Sequence, residues 1–304
     1  MVVYVDSGST DGSVELARSL GAEVVALDMS EPFTAARARN AGLRRLRAGR
    51  DKIEFVQFVD GDCEVREGWL AAALAELRNE PRLAVVCGRR RERFPEASQY
   101  NLLCDLEWDT PVGDVKSCGG DAPMRMSALD EVHDYDSTLI AGEEPELCVR
   151  LRAAGWGVRR LPLEMTWHDA AMNRFGQWWK RTVRSGHAFA EGAALHGDPP
   201  ERHWVREVRS NWIWGALIPA AAFGLVWQTH GLSLLLLLAY GVLAARVALR
   251  CRKRGLGRQA TRLFTLFTVL GKFPCAWGQV QFYWNQLRGR RTRLIEYKGA
   301  AACR

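Results

Sequence analysis

The sequence lacks the paired cysteine spacings that mark metal fingers and redox motifs. Its eight cysteines include no C-x-x-C pair. Such cysteines are typical of reduced thiols in a cytosolic domain, so we expect neither a disulfide framework nor a zinc finger. We also expect no secretory signal peptide, because Met1 leads almost directly into an acidic turn rich in Ser and Gly.

Charged residues are absent from a long stretch in the second half of the chain. Residues 211–245 contain no Asp, Glu, Lys or Arg over 35 positions. One membrane-spanning helix needs about 20 apolar residues, so this length predicts two short spanning helices hinged at 229–231, within a segment at 210–249. A buried hairpin of a soluble domain is the alternative. The leucine run 234–238 has no polar face, which favours spanning.

Acidic residues are scarce at the carboxyl-terminal end. From Arg246 to Arg304 there are fourteen Lys or Arg and one acid, Glu296, although the whole chain carries a net charge of only +7. The preceding part is therefore mildly acidic. A basic tail beside apolar segments predicts contact with anionic membrane lipids, and no nucleic-acid partner.

Two further segments beside the apolar stretch are interpreted as interfacial. Residues 173–209 are rich in Trp, Arg and Lys and indicate amphipathic interfacial helices. The segment 263–287 carries Lys272 as its only charge but many polar residues. If it spanned the membrane, the arginines after it would lie opposite those at 250–254. Because positive residues favour the cytoplasmic side, we predict an interfacial or re-entrant helix within a basic tail, 250–304.

The first 172 residues alternate apolar strand-like runs with helical segments. The predicted strands are 2–5, 22–27, 55–59 and 83–87, and the predicted helices are 14–20, 37–47, 69–77 and 143–154. Residues 89–142 are predicted to be irregular. Near-continuous apolar strands between helices predict an α/β fold with a mainly parallel sheet and helices on both faces.

Acidic turns follow two of these predicted strands. Asp6 ends the first strand, and Asp60-Gly61-Asp62 ends the strand at 55–59. Because parallel α/β sheets bind ligands at the carboxyl ends of their strands, these turns mark a candidate site. Two carboxylates one residue apart can face one Mg²⁺ or Mn²⁺ ion, which would neutralise a diphosphate leaving group. A solvated acidic turn is the alternative.

Four blocks resemble signatures of family 2 glycosyltransferases. Residues 3–13 are similar to V-D-D-G-S-T-D-G-T, and residues 39–42 are similar to A-R-N-x-G. Residues 58–62 are similar to F-L-D-x-D, and residues 143–156 to an E-D-x-x-L…R-x…G block. The blocks keep the family order. The resemblance implies a GT-A fold, which is Rossmann-like, over residues 1–172, with membrane helices after it.

The resemblance also implies roles for five residues in donor and metal binding. Asp6 would contact the nucleotide base, Arg39 the nucleotide or diphosphate, and Asp60 the ribose. Asp62, with Asp60 and His168, would hold Mg²⁺ or Mn²⁺. A solvated helix face is the alternative for Arg39, and a structural histidine is the alternative for His168.

Two further blocks would serve the acceptor. Gly119, Gly120 and Asp121 match the loop that frames donor sugar and acceptor in the family. Glu144 stands where the family has its general-base Asp, and Glu143 precedes it. An inverting transfer needs such a base. The alternative is charge placed at a helix start, where the dipole stabilises carboxylates.

The leading hypothesis is an inverting, metal-dependent, hexosyltransferase-like enzyme at the cytoplasmic face of the membrane. It would move a sugar from a nucleotide-sugar donor to a glycan or lipid-linked acceptor in exopolysaccharide or cell-surface glycan synthesis. The family's first strand, with P-x-x-N, has no counterpart here, so we expect an N-terminally truncated sequence with its true start upstream. The alternatives are a catalytically degenerate, membrane-bound nucleotide-binding or scaffold protein, and a phosphotransferase or hydrolase with Asp60 as nucleophile.

Overall fold

The structure is a computed structural model that describes residues 1–49, 52–290 and 295. The chain divides into two units, Met1–Arg91 with Thr110–His168, and Glu92–Asp109 with Asp169–Arg304. The sequence did not indicate that a segment near residue 100 belongs with the second half. The domain limits given above stay predictions, and the part of the basic tail at 291–294 and 296–304 lies outside the described residues.

The first unit is an alternation of strands and helices. Its strands are β1 (Val3–Asp6), β2 (Glu23–Ala26), β3 (Phe55–Gln57), β4 (Cys63–Val65), β5 (Leu83–Glu92, whose last residue is counted with the second unit), β6 (Gly113–Asp114), β7 (Pro123–Arg125) and β8 (Gly157–His168). Its helices are α1 (Ser13–Ser19), α2 (Ala35–Arg47), α3 (Trp69–Asn79), α5 (Met126–Glu131) and α6 (Glu143–Ala153), with α4 (Gln99–Glu107) in the second unit. The α/β class is thereby confirmed.

The strands form two sheets of different character. β1 and β2 pair in parallel, joined by the crossover helix α1. The larger sheet has the order β3-β7-β5-β8-β4, with β6 on β8. Its pairs β3–β7, β5–β7, β4–β8 and β6–β8 are antiparallel. These pairs are not parallel as expected, because β7 runs back along β3 and β5, and β8 runs back along β4 and β6.

The helix α3 and the strand β5 contribute buried residues to the core of the first unit. The helix α3 buries Trp69, Ala73 and Leu77, which are four residues apart and so share one face. The stretch of β5 from Leu83 to Cys87 is buried without a break, as predicted for a strand that is covered on both faces.

Residues 89–142 are more regular than predicted, and that expectation was wrong. They contain the end of β5, the helix α4, the short strands β6 and β7, and α5. The helix α4 is capped at its amino-terminal end by Ser98, whose Oγ accepts the N–H groups of Tyr100 and Asn101. Strands of two or three residues are too short to reveal an alternating pattern, and they depend on pairing with β3, β5 and β8.

The second unit is helical. Besides α4 it contains α7 (Phe175–His196), α8 (Val205–Trp212), a π-helical turn (Ile213–Leu217), α9 (Ile218–Gly224), a 3₁₀ segment (Leu232–Leu238), α10 (Ala239–Lys253), α11 (Arg258–Leu270) and α12 (Lys272–Leu287). The helices α7 and α12 approach closely, because a Cβ at Gly186 or Gly278 would collide with the backbone of the other helix. The predicted hinge at 229–231 is confirmed as a break between helices, with positive φ at His230 and Gly231.

The segment 263–287, predicted as one helix, is divided between two. The helix α11 ends at Leu270 and α12 begins at Lys272, which puts Pro274 in the first turn of α12. Proline is tolerated there because the first N–H groups of a helix lack intrahelical partners.

One stretch of the described residues is long and apolar enough to cross a membrane. It is Leu232–Lys253, with 22 residues and a mean hydropathy of 2.2 in its most apolar window. Only 17% of that window is buried. Of the two predicted spanning helices, the second therefore meets these criteria, whereas the first does not meet them among the described residues.

Candidate active site

Arg39 connects two carboxylates that are distant in the sequence. Its guanidinium donates to Asp60 Oδ1 and to Glu143 Oε1, each at 2.7 Å. The side chain of Arg39 is only 10% exposed. Burial alone would lower its pKa, but the opposing carboxylates, with Asp60 first, raise the pKa well above its ordinary value. Arg39 is thus an interior cation and not part of a solvated helix face.

Local structure explains why Arg39 reaches this position. The helix α2 is capped at its amino-terminal end by Thr34, whose side chain accepts the N–H of Arg37. Asn40, the next residue of the same motif, exchanges two hydrogen bonds with the backbone of Tyr135. The Tyr135 ring in turn lies 5.4 Å from the Arg39 guanidinium. The adjacent residues Arg39 and Asn40 therefore have complementary roles. Asn40 anchors α2 to the backbone of Tyr135, and Arg39 reaches Asp60 and Glu143.

A second buried arginine, Arg90, lies on the other side of Asp60. Its Nη2 is 2.7 Å from Asp121 Oδ2 and 3.8 Å from Asp60 Oδ2. Burial disfavours the charge of Arg90, but Asp121 and Asp60 outweigh it and raise the pKa. For Asp60, burial acts to raise the pKa, but Arg39 and then Arg90 outweigh it and lower the pKa. Asp60 is consequently held ionised between two guanidinium groups.

Asp121 is a fully buried acid that connects the charged cluster of Arg39, Asp60 and Arg90, here called the Asp60 cluster, to the sheet. Its carboxylate accepts the backbone N–H of Asp60 at 3.2 Å and the hydroxyl of Thr166 at 3.1 Å, besides the pair with Arg90. The thiol of Cys63 also lies 3.2 Å away. Asp121 therefore orients the Asp60 turn from below.

Asp62 faces a different partner, His168. The His168 Nε2 lies 3.4 Å from Asp62 Oδ2. The contact follows from strand register, because Cys63 at the start of β4 is the direct partner of His168 at the end of β8. Asp62, Cys63 and His168 offer three ligand atoms within 4.8 Å of one another, so these residues fit a divalent cation.

Gly120 is required where the loop passes the two charges. An ideal Cβ there would lie 2.6 Å from Arg39 Nη2 and 3.0 Å from Asp60 Oδ2. Gly119, beside it, has φ +76°, a backbone conformation that residues with a side chain rarely adopt. The pair lets the loop run directly over the Arg39–Asp60 contact.

Glu144 is buried beneath the same loop. Its Oε1 accepts the N–H of Cys118 at 2.6 Å, and the thiols of Cys118 and Cys148 lie 2.9 and 3.0 Å away. Glu143, its neighbour at the start of α6, points instead to Arg39. The two adjacent acids thus have separate surroundings.

Asp6 lies at the end of β1, and its carboxylate accepts the N–H groups of Gly8 and Ser9. Hydrogen bonding to Ser9 outweighs burial and lowers its pKa. Within the part of the chain that the structure describes, no hydrogen bond or ion pair joins Asp6 to the Asp60 cluster.

The structure thus brings together most of the residues named from the sequence, although their roles stay predictions. The sequence reasoning missed Arg90 and Cys63. Arg90 lies within a run of three arginines at the end of β5, and Cys63 directly follows Asp62. Their places at strand ends next to the acidic turn were the available signals.

Comparison with known proteins finds similarity to glycosyltransferases. A family model described as glycosyl transferase family 2 matches residues 1–111. The pre-mycofactocin glycosyltransferases of two Mycobacterium tuberculosis strains, CDC 1551 / Oshkosh and ATCC 25618 / H37Rv, are each 30% identical over 210 residues. The match covers 65% of this chain and 43% of each relative, so the chain spans less than half the length of these curated relatives.

A solved structure resembles most of the chain. It is a mannosyltransferase from Pyrobaculum calidifontis in complex with GDP-Man and Mn²⁺, with a TM-score of 0.57 and 17% sequence identity. The likeness covers 94% of this chain and 78% of that one. At this identity it supports the GT-A-like fold alone.

Proposed function

We propose that this chain, whose residues 1–111 match the glycosyl transferase family 2 model, transfers a sugar from a nucleotide-sugar donor to an acceptor hydroxyl, with inversion at the anomeric carbon. One observation carries the proposal. Arg39 joins Asp60 and Glu143 through 2.7 Å ion pairs, next to the Asp62–His168 contact. Acidic and basic groups that converge at strand ends suit a phosphate-bearing ligand and an acceptor.

The donor diphosphate would bind at the arginines and the acidic turn. Guanidinium groups bind phosphate oxygens in a bidentate manner, and Arg39 and Arg90 already lie on either side of Asp60. Asp62 and His168 would hold Mg²⁺ or Mn²⁺. When bound, such a cation neutralises charge on a departing diphosphate. Asp60 would then turn toward the ribose, and Asp6 toward the base.

The acceptor hydroxyl would lose its proton to Glu144. The hydrogen bonds to Glu144 from described residues all reach Oε1, which leaves Oε2 to accept a proton. Glu143 is engaged by Arg39, so we assign it the positioning of that guanidinium. The loop with Gly119, Gly120 and Asp121 would frame the donor sugar above these acids.

We further propose a membrane-attached enzyme with a glycan or lipid-linked acceptor at the cytoplasmic face, in exopolysaccharide or cell-surface glycan synthesis. The stretch Leu232–Lys253 is largely unburied and apolar over most of its length, and basic residues at 250–254 lie at its carboxyl-terminal end. Arg202, Arg206 and Arg209 are exposed, and none forms an ion pair with a described residue. Such arginines suit anionic headgroups.

The test is release of nucleoside diphosphate from a panel of UDP-, GDP- and dTDP-sugars by the purified full chain with Mn²⁺ or Mg²⁺. We expect metal-dependent release that Asp62→Ala abolishes. Glu67→Ala is the control, because Glu67 is an exposed acid just beyond β4 and pairs with no described residue. Equal, metal-independent activity in all three proteins would contradict the proposal.

A second candidate is a nucleotide-binding protein without turnover. The observation that favours it is the burial of Glu144, which is only 6% exposed beneath Cys118. Metal-dependent binding of a nucleoside diphosphate, together with no turnover of any donor in the panel, would favour this candidate.

A further inference from the structure

The thiol of Cys63 lies within the candidate cation site and has no role in the function proposed above. Its Sγ is 3.6 Å from Asp62 Oδ1, and its ligand atom lies within 4.8 Å of those of both Asp62 and His168. The residue is half-buried. The Asp60 turn, with carboxylates at 60 and 62, is thus followed at once by a potential sulfur ligand.

The backbone fixes this arrangement. Cys63 and His168 are direct cross-strand partners in the antiparallel pair β4–β8, so their side chains lie on the same face of the sheet. Asp62 precedes β4 and reaches the His168 ring at 3.4 Å. The three side chains therefore come from two strand ends that the sheet holds in register.

The ligand set differs in chemistry from a purely acidic turn. Mg²⁺ is a hard cation that favours carboxylate and water oxygens, whereas thiolate and imidazole favour Zn²⁺ and its spectroscopic substitute Co²⁺. Three protein ligands with a fourth position open is the usual arrangement of a zinc site that also takes a substrate or water. Asp62, Cys63 and His168 match that count.

We propose that Cys63 is a direct ligand of the cation at Asp62 and His168, and that its sulfur makes this site select Zn²⁺ and Co²⁺ over Mg²⁺. The inference rests on the proposed function only in that the same cation would meet the donor diphosphate. On binding, a sulfur–metal bond forms and the thiol proton passes to solvent. No oxidation or reduction is involved.

The test is titration of the purified full chain with Co²⁺ in the absence of nucleotide. A thiolate ligand produces a charge-transfer absorption band in the near ultraviolet, and we expect that band in the wild type and its loss in Cys63→Ser. Competition against a chromophoric chelator gives the Zn²⁺ affinity. Since loss of an outer-shell partner alone weakens metal binding by about 10- to 100-fold, loss of this ligand should weaken Zn²⁺ binding at least tenfold. Mg²⁺ affinity should be unchanged.

A matched control is needed because two further clusters that contain sulfur are present among the described residues, Asp60–Cys63–Asp121 and Cys118–Glu144–Cys148. Cys118, Glu144 and Cys148 also offer three ligand atoms within 4.8 Å, and all three residues are buried. The double variant Cys118→Ser with Cys148→Ser should keep the cobalt band. A band that survives Cys63→Ser and disappears in the double variant would overturn the proposal. Cys63→Ala, compared by circular dichroism, separates loss of the ligand from loss of the fold.

Failure of this inference is distinguishable from failure of the proposed function. Metal-dependent donor turnover with equal Zn²⁺ affinity in wild type and Cys63→Ser would refute the ligand role and leave the enzyme intact. A cobalt band that depends on Cys63, without turnover of any donor, would support the ligand role and count against the enzyme.

Discussion

Replacement of Arg39 by alanine should destabilise the first unit before any ligand is considered. The change removes two charge-assisted hydrogen bonds of 2.7 Å and leaves Glu143, 13% exposed, without its guanidinium. Hydrogen bonds to charged groups contribute about 1.5–3 kcal/mol each, and breaking a buried pair costs about 3–5 kcal/mol. Asp60 is 37% exposed and keeps Arg90 at 3.8 Å, so its share is discounted. We expect a total loss of about 3 kcal/mol.

The assay is thermal unfolding of the purified protein without nucleotide. For a unit of this size, about 1 kcal/mol lowers Tm by about 2–4 °C, so Arg39→Ala should lower the transition of the first unit by about 6–12 °C. Arg44→Ala is the matched control, because Arg44 is exposed on the same helix and pairs with no described residue. Equal Tm values for the two variants would refute the structural role given to Arg39.

Three further predictions concern other residues of the candidate site. Gly120→Ala should cost about 1–3 kcal/mol in urea unfolding, because its Cβ would press on Arg39 and Asp60; Gly61→Ala, whose Cβ meets nothing within 4 Å, should cost less. Stability should fall as the pH drops below the ordinary aspartate value of 3.8, because the folded pKa values of Asp6 and Asp60 are lowered and the unfolded chain takes up protons first. Urea unfolding at several pH values should show that the free energy of unfolding falls less steeply with acid in Asp6→Asn than in the wild type. An equal fall in the two proteins would contradict this prediction. Glu144→Gln should lower turnover by about 10²- to 10⁴-fold while nucleotide binding persists; turnover equal to wild type would remove Glu144 as the base.

The sequence was informative where chemistry coincides with a strand end. Asp60 and Asp62 follow an apolar run, and Arg39 lies in a recognisable helix motif, so their convergence could be expected. These residues combine local signals with a simple topological rule.

The sequence was uninformative where structure depends on tertiary pairing. The strands β6 and β7 have two and three residues and exist through their partners, so a pattern could not reveal them. Arg90 belongs to a run of charges at the end of β5 that is typical of a solvated edge, and only the fold turns it toward Asp121. The antiparallel pairing of β7 and β8 with their neighbours could not be predicted for the same reason.

The most direct test of the central claim is calorimetric titration of the chain with UDP, GDP and dTDP, with and without Mn²⁺. The claim is that Asp62 and His168 hold a cation that binds a nucleoside diphosphate beside Arg39 and Asp60. We predict binding of at least one nucleotide that requires Mn²⁺, that Asp62→Ala abolishes and that Glu67→Ala leaves intact. Binding that is the same without Mn²⁺, or the same in Asp62→Ala, would contradict the account.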